Sequence, residues 1–195
     1  MENEKLRVQI SDHGAELCSI YDKEADREAV WIGDPAFWNR HAPVLFPFVG
    51  KVNGGFYTHK GIKYPMGQHG FARDKEFACM ENTENKTVHR LVSTDETKKV
   101  NPFDFAFTVT QKLSGRTVTV IWEVENTGEE DLYFSVGGHP AFMIPEQYDI
   151  VFNKDLRNHG ETELEYVLID PETAGVDAAH PRKLALTNGK IPYTR

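Results

Sequence analysis

Short strand-like runs dominate this chain, the clearest of them alternating apolar and polar residues with period two, and no segment sustains a long period near 3.6. The clearest case starts at Phe103, where Phe103, Phe105, Phe107 and Val109 alternate with Asp104, Ala106, Thr108 and Thr110. After Leu113-Ser114-Gly115-Arg116 the pattern resumes. Val118, Val120, Trp122 and Val124 alternate with Thr117, Thr119, Ile121 and Glu123. Two long period-two runs joined by a Gly-containing turn predict a β-hairpin with one face buried. Its apolar side is large enough to anchor a core of one sheet packed on another.

The same reading places shorter strands before and after this hairpin. Leu6–Ile10 and Leu17–Tyr21 flank the turn Asp12-His13-Gly14, which makes His13 a turn residue. Ala29–Ile32 predicts another strand, closed by Gly33-Asp34-Pro35. Pro43 to Lys51 is apolar but carries Pro43 and Pro47, which suits an irregular edge strand lining a cleft. Phe56–Thr58 and Ile62–Tyr64 predict a hairpin with His59 exposed at its tip. Glu76–Met80 and Val88–Val92 are β-compatible, and Asp95–Lys99 reads as a loop or one helical turn. Leu132–Val136 predicts the strand that delivers His139, and Tyr148–Phe152 and Leu164–Leu168 predict two more. Residues 170–180 read as loop, 183–186 as a last strand and 187–189 as a turn. The expected class is all-β, an antiparallel β-sandwich in one domain over residues 1–195.

Composition narrows the partners. The formal net charge is −8, and the compact basic runs are only Lys98-Lys99 and Arg182-Lys183. A nucleic-acid surface needs clustered Lys and Arg, so no nucleic-acid partner is expected. The start of the chain has neither an apolar core nor a cleavage-site pattern, and no apolar run is long enough to cross a bilayer. No membrane partner is expected, and the default location is the cytoplasm. Cys18 and Cys79 both lie in strand-like apolar surroundings and read as buried free thiols.

Two stretches carry candidate chemistry. Gly67-Gln68-His69-Gly70-Phe71-Ala72-Arg73-Asp74 and Gly137-Gly138-His139-Pro140-Ala141-Phe142 each set a histidine among glycines at the end of an apolar run. Histidine exchanges a proton near neutral pH, and glycine lets a backbone turn sharply or approach a ligand closely. Either histidine could equally be structural. There is no Gly-rich phosphate loop, no zinc-type Cys/His spacing and no nucleophile elbow. No pair among His41, His59, His69 and His139 has the spacing of a known metal motif. Trp38, Phe46, Phe71, Phe142, Lys51 and Arg73 could surround the two histidines. Aromatic faces suit the C–H faces of a sugar ring, and the polar groups suit its hydroxyls.

Leu45-Phe46-Pro47, the Gln68–Asp74 stretch, Asn101-Pro102-Phe103-Asp104-Phe105 and Gly137–Phe142 together resemble the aldose 1-epimerase (galactose mutarotase) family, nearest its LacX-like branch. The resemblance runs from about Leu6 onward. It implies a large antiparallel β-sandwich that interconverts the α and β anomers of a hexose, or hexose phosphate, by acid–base ring opening without a cofactor or metal. By the resemblance, His139 protonates the ring oxygen, and His69 contacts and polarises the sugar. Lys51 falls where many relatives carry a substrate-binding arginine; it keeps the charge but not the planar fork. Arg73 is the candidate for a hydroxyl or a phosphate. The family's general base is a glutamate late in a longer chain, so this sequence resembles the N-terminal two-thirds. Uncovered apolar edges would then favour self-association. The alternatives are a carbohydrate-binding module, or an inactive fragment lacking that base, and a structural protein without a ligand.

Overall fold

Why each strand forms where it does is set by burial along the chain. In this computed structural model the described residues are 1–143 and the strand residues 149–151 and 167–169. Leu6 and Val8 point inward while their neighbours face solvent, giving β1 (Leu6–Ile10), which pairs antiparallel with β2 (Leu17–Asp22). β3 (Arg27–Glu28) returns on β2 and completes a three-stranded sheet. β4 (Val44–Leu45) is short and fully buried. β5 (Phe56–His59) and β6 (Ile62–Pro65) form a separate hairpin. β7 (Ala78–Asn82), β8 (Lys86–Val92), β9 (Phe105–Ser114) and β10 (Thr117–Asn126) follow, and build a four-stranded antiparallel sheet in the order β10-β9-β8-β7. One helical turn, α1 (Asp95–Lys98), lies between β8 and β9. The Thr94 hydroxyl accepts the Thr97 backbone N–H, capping its N-terminus. β11 (Gly137–Gly138) pairs with β4. In a second unit, Ile144–Arg195, β12 (Asp149–Val151) and β13 (Val167–Ile169) are antiparallel partners.

The predicted long hairpin is present, in register from Ser114–Thr117 to Phe105–Asn126. Its inward residues form the main core. Phe105, Phe107 and Val109 are fully buried with Phe46, Ala72 and Phe77, and Val120, Trp122 and Val124 pack against them. Burying one such phenylalanine is worth about 1.5–3 kcal/mol. Phe46 is the tie between this sheet and β4. Its ring stacks on Phe107 at 4.6 Å between centroids and meets Phe105 at 5.0 Å. A smaller cluster joins Leu6, Val8 and Leu17 to Leu113. Gln111 lies on the same face of β9 and is also buried. It accepts from the Thr87 hydroxyl at 2.8 Å and donates to the Ala15 carbonyl at 3.0 Å, which meets its polar demand.

Several elements differ from the pattern. Ala29–Ile32 does not form a strand; the pairing falls at Arg27–Glu28, and Val30 makes an isolated bridge to Phe142. Leu132–Val136 is not a strand either. Ser135 N–H reaches the Pro47 carbonyl at 2.8 Å, but Pro47 has no N–H to return, so no ladder grows. The burial of β9 extends to both faces, with Ala106 and Thr110 enclosed as well. Cys79 is exposed rather than buried, because β7 is an edge strand, while Cys18 is half-buried and both thiols are free. His59 is not an exposed tip. Its ring packs on Phe103 at 4.9 Å and its side chain is 21% exposed. The strands expected at Tyr148–Phe152 and Leu164–Leu168 are found at Asp149–Val151 and Val167–Ile169. The expected loop, strand and turn of residues 170–189 lie outside the described residues.

Candidate active site

The first histidine is held by an unusual backbone. His69 has φ +66°, a left-handed conformation uncommon outside glycine, and Gly70 follows at φ +71°. At Gly70 only glycine fits: a Cβ there would lie 2.2 Å from the Phe46 carbonyl oxygen. Gly70 bridges to Phe46, whose carbonyl accepts the N–H groups of Phe71 and Ala72 at 2.9 and 3.1 Å. The bend brings His69 onto Gly50. His69 N–H donates to the Gly50 carbonyl at 2.7 Å, and Gly50 N–H donates to His69 Nδ1 at 3.0 Å.

The second histidine leaves β11. Its N–H donates to the Pro43 carbonyl at 3.1 Å, just before β4. Gly138 passes so close to Trp122 that a Cβ would lie 2.9 Å from the indole. His139 itself is exposed. Its ring centroid lies 5.7 Å from that of His69 and 5.3 Å from that of Trp38. Trp38 is fixed in turn, since its carbonyl accepts Trp31 Nε1–H at 2.8 Å and its N–H reaches Asp34 O at 2.8 Å. Residues 43–50 therefore hold both histidines through backbone groups, at Pro43 for one and Gly50 for the other. The carbonyl of Phe46 fixes the residues that follow His69.

A second layer stands behind this segment. Glu16 is buried, and its carboxylate accepts the N–H groups of His41 and Ala42 at 2.5 and 2.9 Å. His41 O in turn accepts Ala141 N–H at 2.9 Å. Arg40 donates to Asp74 Oδ1 at 2.6 Å and to the Arg73 carbonyl at 3.4 Å. Nothing in the hydrophobic pattern pointed to Glu16, Arg40 or Gly50, because their roles run through backbone groups far away in sequence.

The other predicted residues fall in different places. Arg73 lies on the short turn Ala72–Asp74 and donates to the Gln68 carbonyl at 2.9 Å, beside the first histidine. Lys51 is exposed and directly follows Gly50. Phe71 turns into the core, with ring centroids 6.5 Å from Phe46 and 6.3 Å from Phe105. Phe142 makes an isolated antiparallel backbone bridge to Val30. The three metal-ligating side chains that gather among the described residues are Asp12, Cys79 and His89, outside this pair.

Protonation of His69 is disfavoured. Burial lowers its pKa first, and the positive charges of Arg73 and of a protonated His139 lower it further. Its ring is then neutral, and the Gly50 N–H requires a lone pair at Nδ1, so the ring proton sits on Nε2. The Gln68 amide nitrogen lies 3.1 Å from Nε2. A protonated Nε2 needs an acceptor, and turning that amide about its Cγ–Cδ bond brings its oxygen to the same position.

The aldose 1-epimerase family model matches residues 1–181. The chain belongs to that family. Among curated relatives, the plasmid-borne protein LacX of Lactococcus lactis is 30% identical over 167 residues, covering 79% of this chain and 56% of that protein. This family member thus spans little more than half the length of the LacX relatives. Among solved structures, a galactose mutarotase-like protein from Lactobacillus casei superposes with a TM-score of 0.76 at 33% identity, over 90% of this chain and 64% of that one. The galactose mutarotase related enzyme from Lactobacillus acidophilus gives 0.73 at 40% identity, over 83% and 50%. The all-β fold is therefore galactose mutarotase-like. Among the described residues no helix is long and apolar enough to cross a membrane.

Proposed function

We propose that this aldose 1-epimerase family member binds a hexose over the His69–His139 pair and takes part in exchange of its anomers. The observation that carries the reading is the paired rings, 5.7 Å apart and edge to face, with Trp38 tilted against His139 at 5.3 Å between centroids. Trp38 offers a face to the sugar's C–H surface, and the two rings offer polar atoms to its oxygens.

The family resemblance implies different work for the two histidines. His139, exposed, gives a proton to the ring oxygen as the bond between that oxygen and the anomeric carbon breaks. A base removes the proton of the anomeric hydroxyl, whose electrons form the aldehyde. Rotation about the adjacent carbon–carbon bond and reclosure, with both protons returned, give the other anomer. His69 stays neutral and donates a hydrogen bond from Nε2, displacing or sharing Gln68. Each general acid or base group contributes about 10²–10⁴-fold to such a step. Arg73 supplies positive charge beside His69, for a hydroxyl or a phosphate, and Lys51, next to Gly50, takes the place of the arginine that many relatives carry. The family resemblance assigns the base to a late glutamate of longer chains.

Optical rotation of freshly dissolved α-D-glucose and α-D-galactose tests the reading, with the wild type beside His139→Ala. Faster equilibration by the wild type alone supports it. If the folded chain binds sugar without speeding exchange, it is a carbohydrate-binding protein. If it neither binds nor speeds exchange, the reading fails for these sugars.

A further inference from the structure

Cys79 and His89 are direct partners in the β7–β8 ladder, so their side chains share one face of the sheet. Asp12, which follows β1, is brought to the same place from the other sheet; its carbonyl accepts Phe77 N–H at 2.9 Å. One ligand atom from each of Asp12, Cys79 and His89 lies within 4.8 Å of the other two. The His89 side chain is only 3% exposed, and its Nε2 stands 3.0 Å from Asp12 Oδ1. Its Nδ1 is buried with no hydrogen-bond partner among the described residues. The ring therefore has Asp12 alone as a polar partner. A groove of roughly 470 Å³ opens beside it, lined by Asp12, Asn82, Thr87 and His89. The exposed Asp12 and Cys79 leave a way in from solvent.

We infer that Asp12, Cys79 and His89 form a binding site for a divalent transition-metal ion of the zinc type. The donor set is one imidazole nitrogen, one thiolate sulfur and one carboxylate oxygen, which suits borderline-soft Zn²⁺ and excludes a good fit for Ca²⁺ or Mg²⁺. Zn–N and Zn–O bonds of about 2.0–2.2 Å in a tetrahedron put the two ligand atoms about 3.3–3.6 Å apart. The Asp12–His89 spacing of 3.0 Å needs to open by only a few tenths of an ångström, and the sulfur needs to close by at most about 1.2 Å. The cation takes the place of the proton shared by Nε2 and Asp12, the ring proton moves to Nδ1, and the Cys79 thiol proton goes to solvent. Water fills the fourth position. Cys18 also lines the groove, but its sulfur is not among the ligand atoms that gather within 4.8 Å of one another. A metal held here would staple the β1–β2 turn to the edge of the four-stranded sheet.

The test is titration of the reduced, purified chain with Co²⁺. The expected result is a set of visible d–d bands with a thiolate-to-cobalt charge-transfer band at one equivalent, abolished by added Zn²⁺. The melting temperature should also rise with metal, since an ion bound only by the native state stabilises it. Cys79→Ser should remove the charge-transfer band, while Cys18→Ser should keep it. Asp12→Asn and His89→Gln should weaken binding on the order of tenfold or more. Cys79 and Asp12 are exposed, so their variants remain informative even if the buried His89 substitution unfolds the chain. Absence of cobalt bands overturns the site. So does a charge-transfer band that survives Cys79→Ser or is lost with Cys18→Ser.

Discussion

Gly50 and His69 exchange two hydrogen bonds, one from the His69 backbone to the Gly50 carbonyl and one from Gly50 N–H to the ring nitrogen Nδ1. The second fixes the tautomer, and burial together with Arg73 and His139 keeps the ring neutral. Nitrogen-detected NMR should therefore find the His69 proton on Nε2, with a titration midpoint below the ordinary value of about 6.5. The sign for stability follows. A folded-state pKa below the unfolded one means the unfolded chain binds this proton more readily. The contribution is complete above the unfolded pKa and is lost as pH falls through the folded value. A proton on Nδ1, or a raised midpoint, would contradict the assignment.

Gly70→Ala should destabilise the chain by at least about 2 kcal/mol, from a left-handed φ plus a collision with Phe46. Gly61→Ala is the control. Gly61 also has positive φ, at +81°, but a Cβ there meets nothing within 4 Å, so its cost should be about 1 kcal/mol. Urea midpoints of the two variants decide it. Equal losses would mean that the Phe46 contact does not matter.

Glu16→Gln tests the layer behind the site. Replacing a carboxylate that accepts two backbone N–H groups with a neutral amide should cost about 1–2 kcal/mol. Because that segment continues into the carbonyls holding Ala141 and His139, amide exchange at those two residues should quicken beyond the global loss of stability. Unchanged local protection would remove Glu16 from the positioning of His139.

Trp38→Ala should weaken sugar binding by about tenfold, near 1.4 kcal/mol, while Trp38→Phe should retain most of it. Calorimetric titration of each folded variant reads the difference directly. Equal affinity in all three would place the sugar elsewhere.

Much of this molecule could be read from the order of its residues. Period-two alternation from Phe103 to Val124 predicts β9 and β10, because a half-buried strand must put every second side chain into the core. Gly-flanked His69 and His139 were legible as candidates for the same reason that glycine is needed there: backbone passes too close to Phe46 and Trp122 for a side chain. What the sequence could not decide was pairing. Leu132–Val136 alternates like a strand, yet its potential partner contains Pro47 and cannot return a hydrogen bond. Phe71 and Phe142 were equally good candidates for the cleft by residue type. Only packing set the ring of the first against Phe46 and Phe105, and only pairing bridged the backbone of the second to Val30. The bond from Gly50 to His69, the carboxylate of Glu16 behind His41, and the meeting of Asp12 with Cys79 and His89 all join distant positions. Local sequence sets the conformations a segment can adopt, but such contacts exist only after the sheets have packed, so tertiary structure alone decided them.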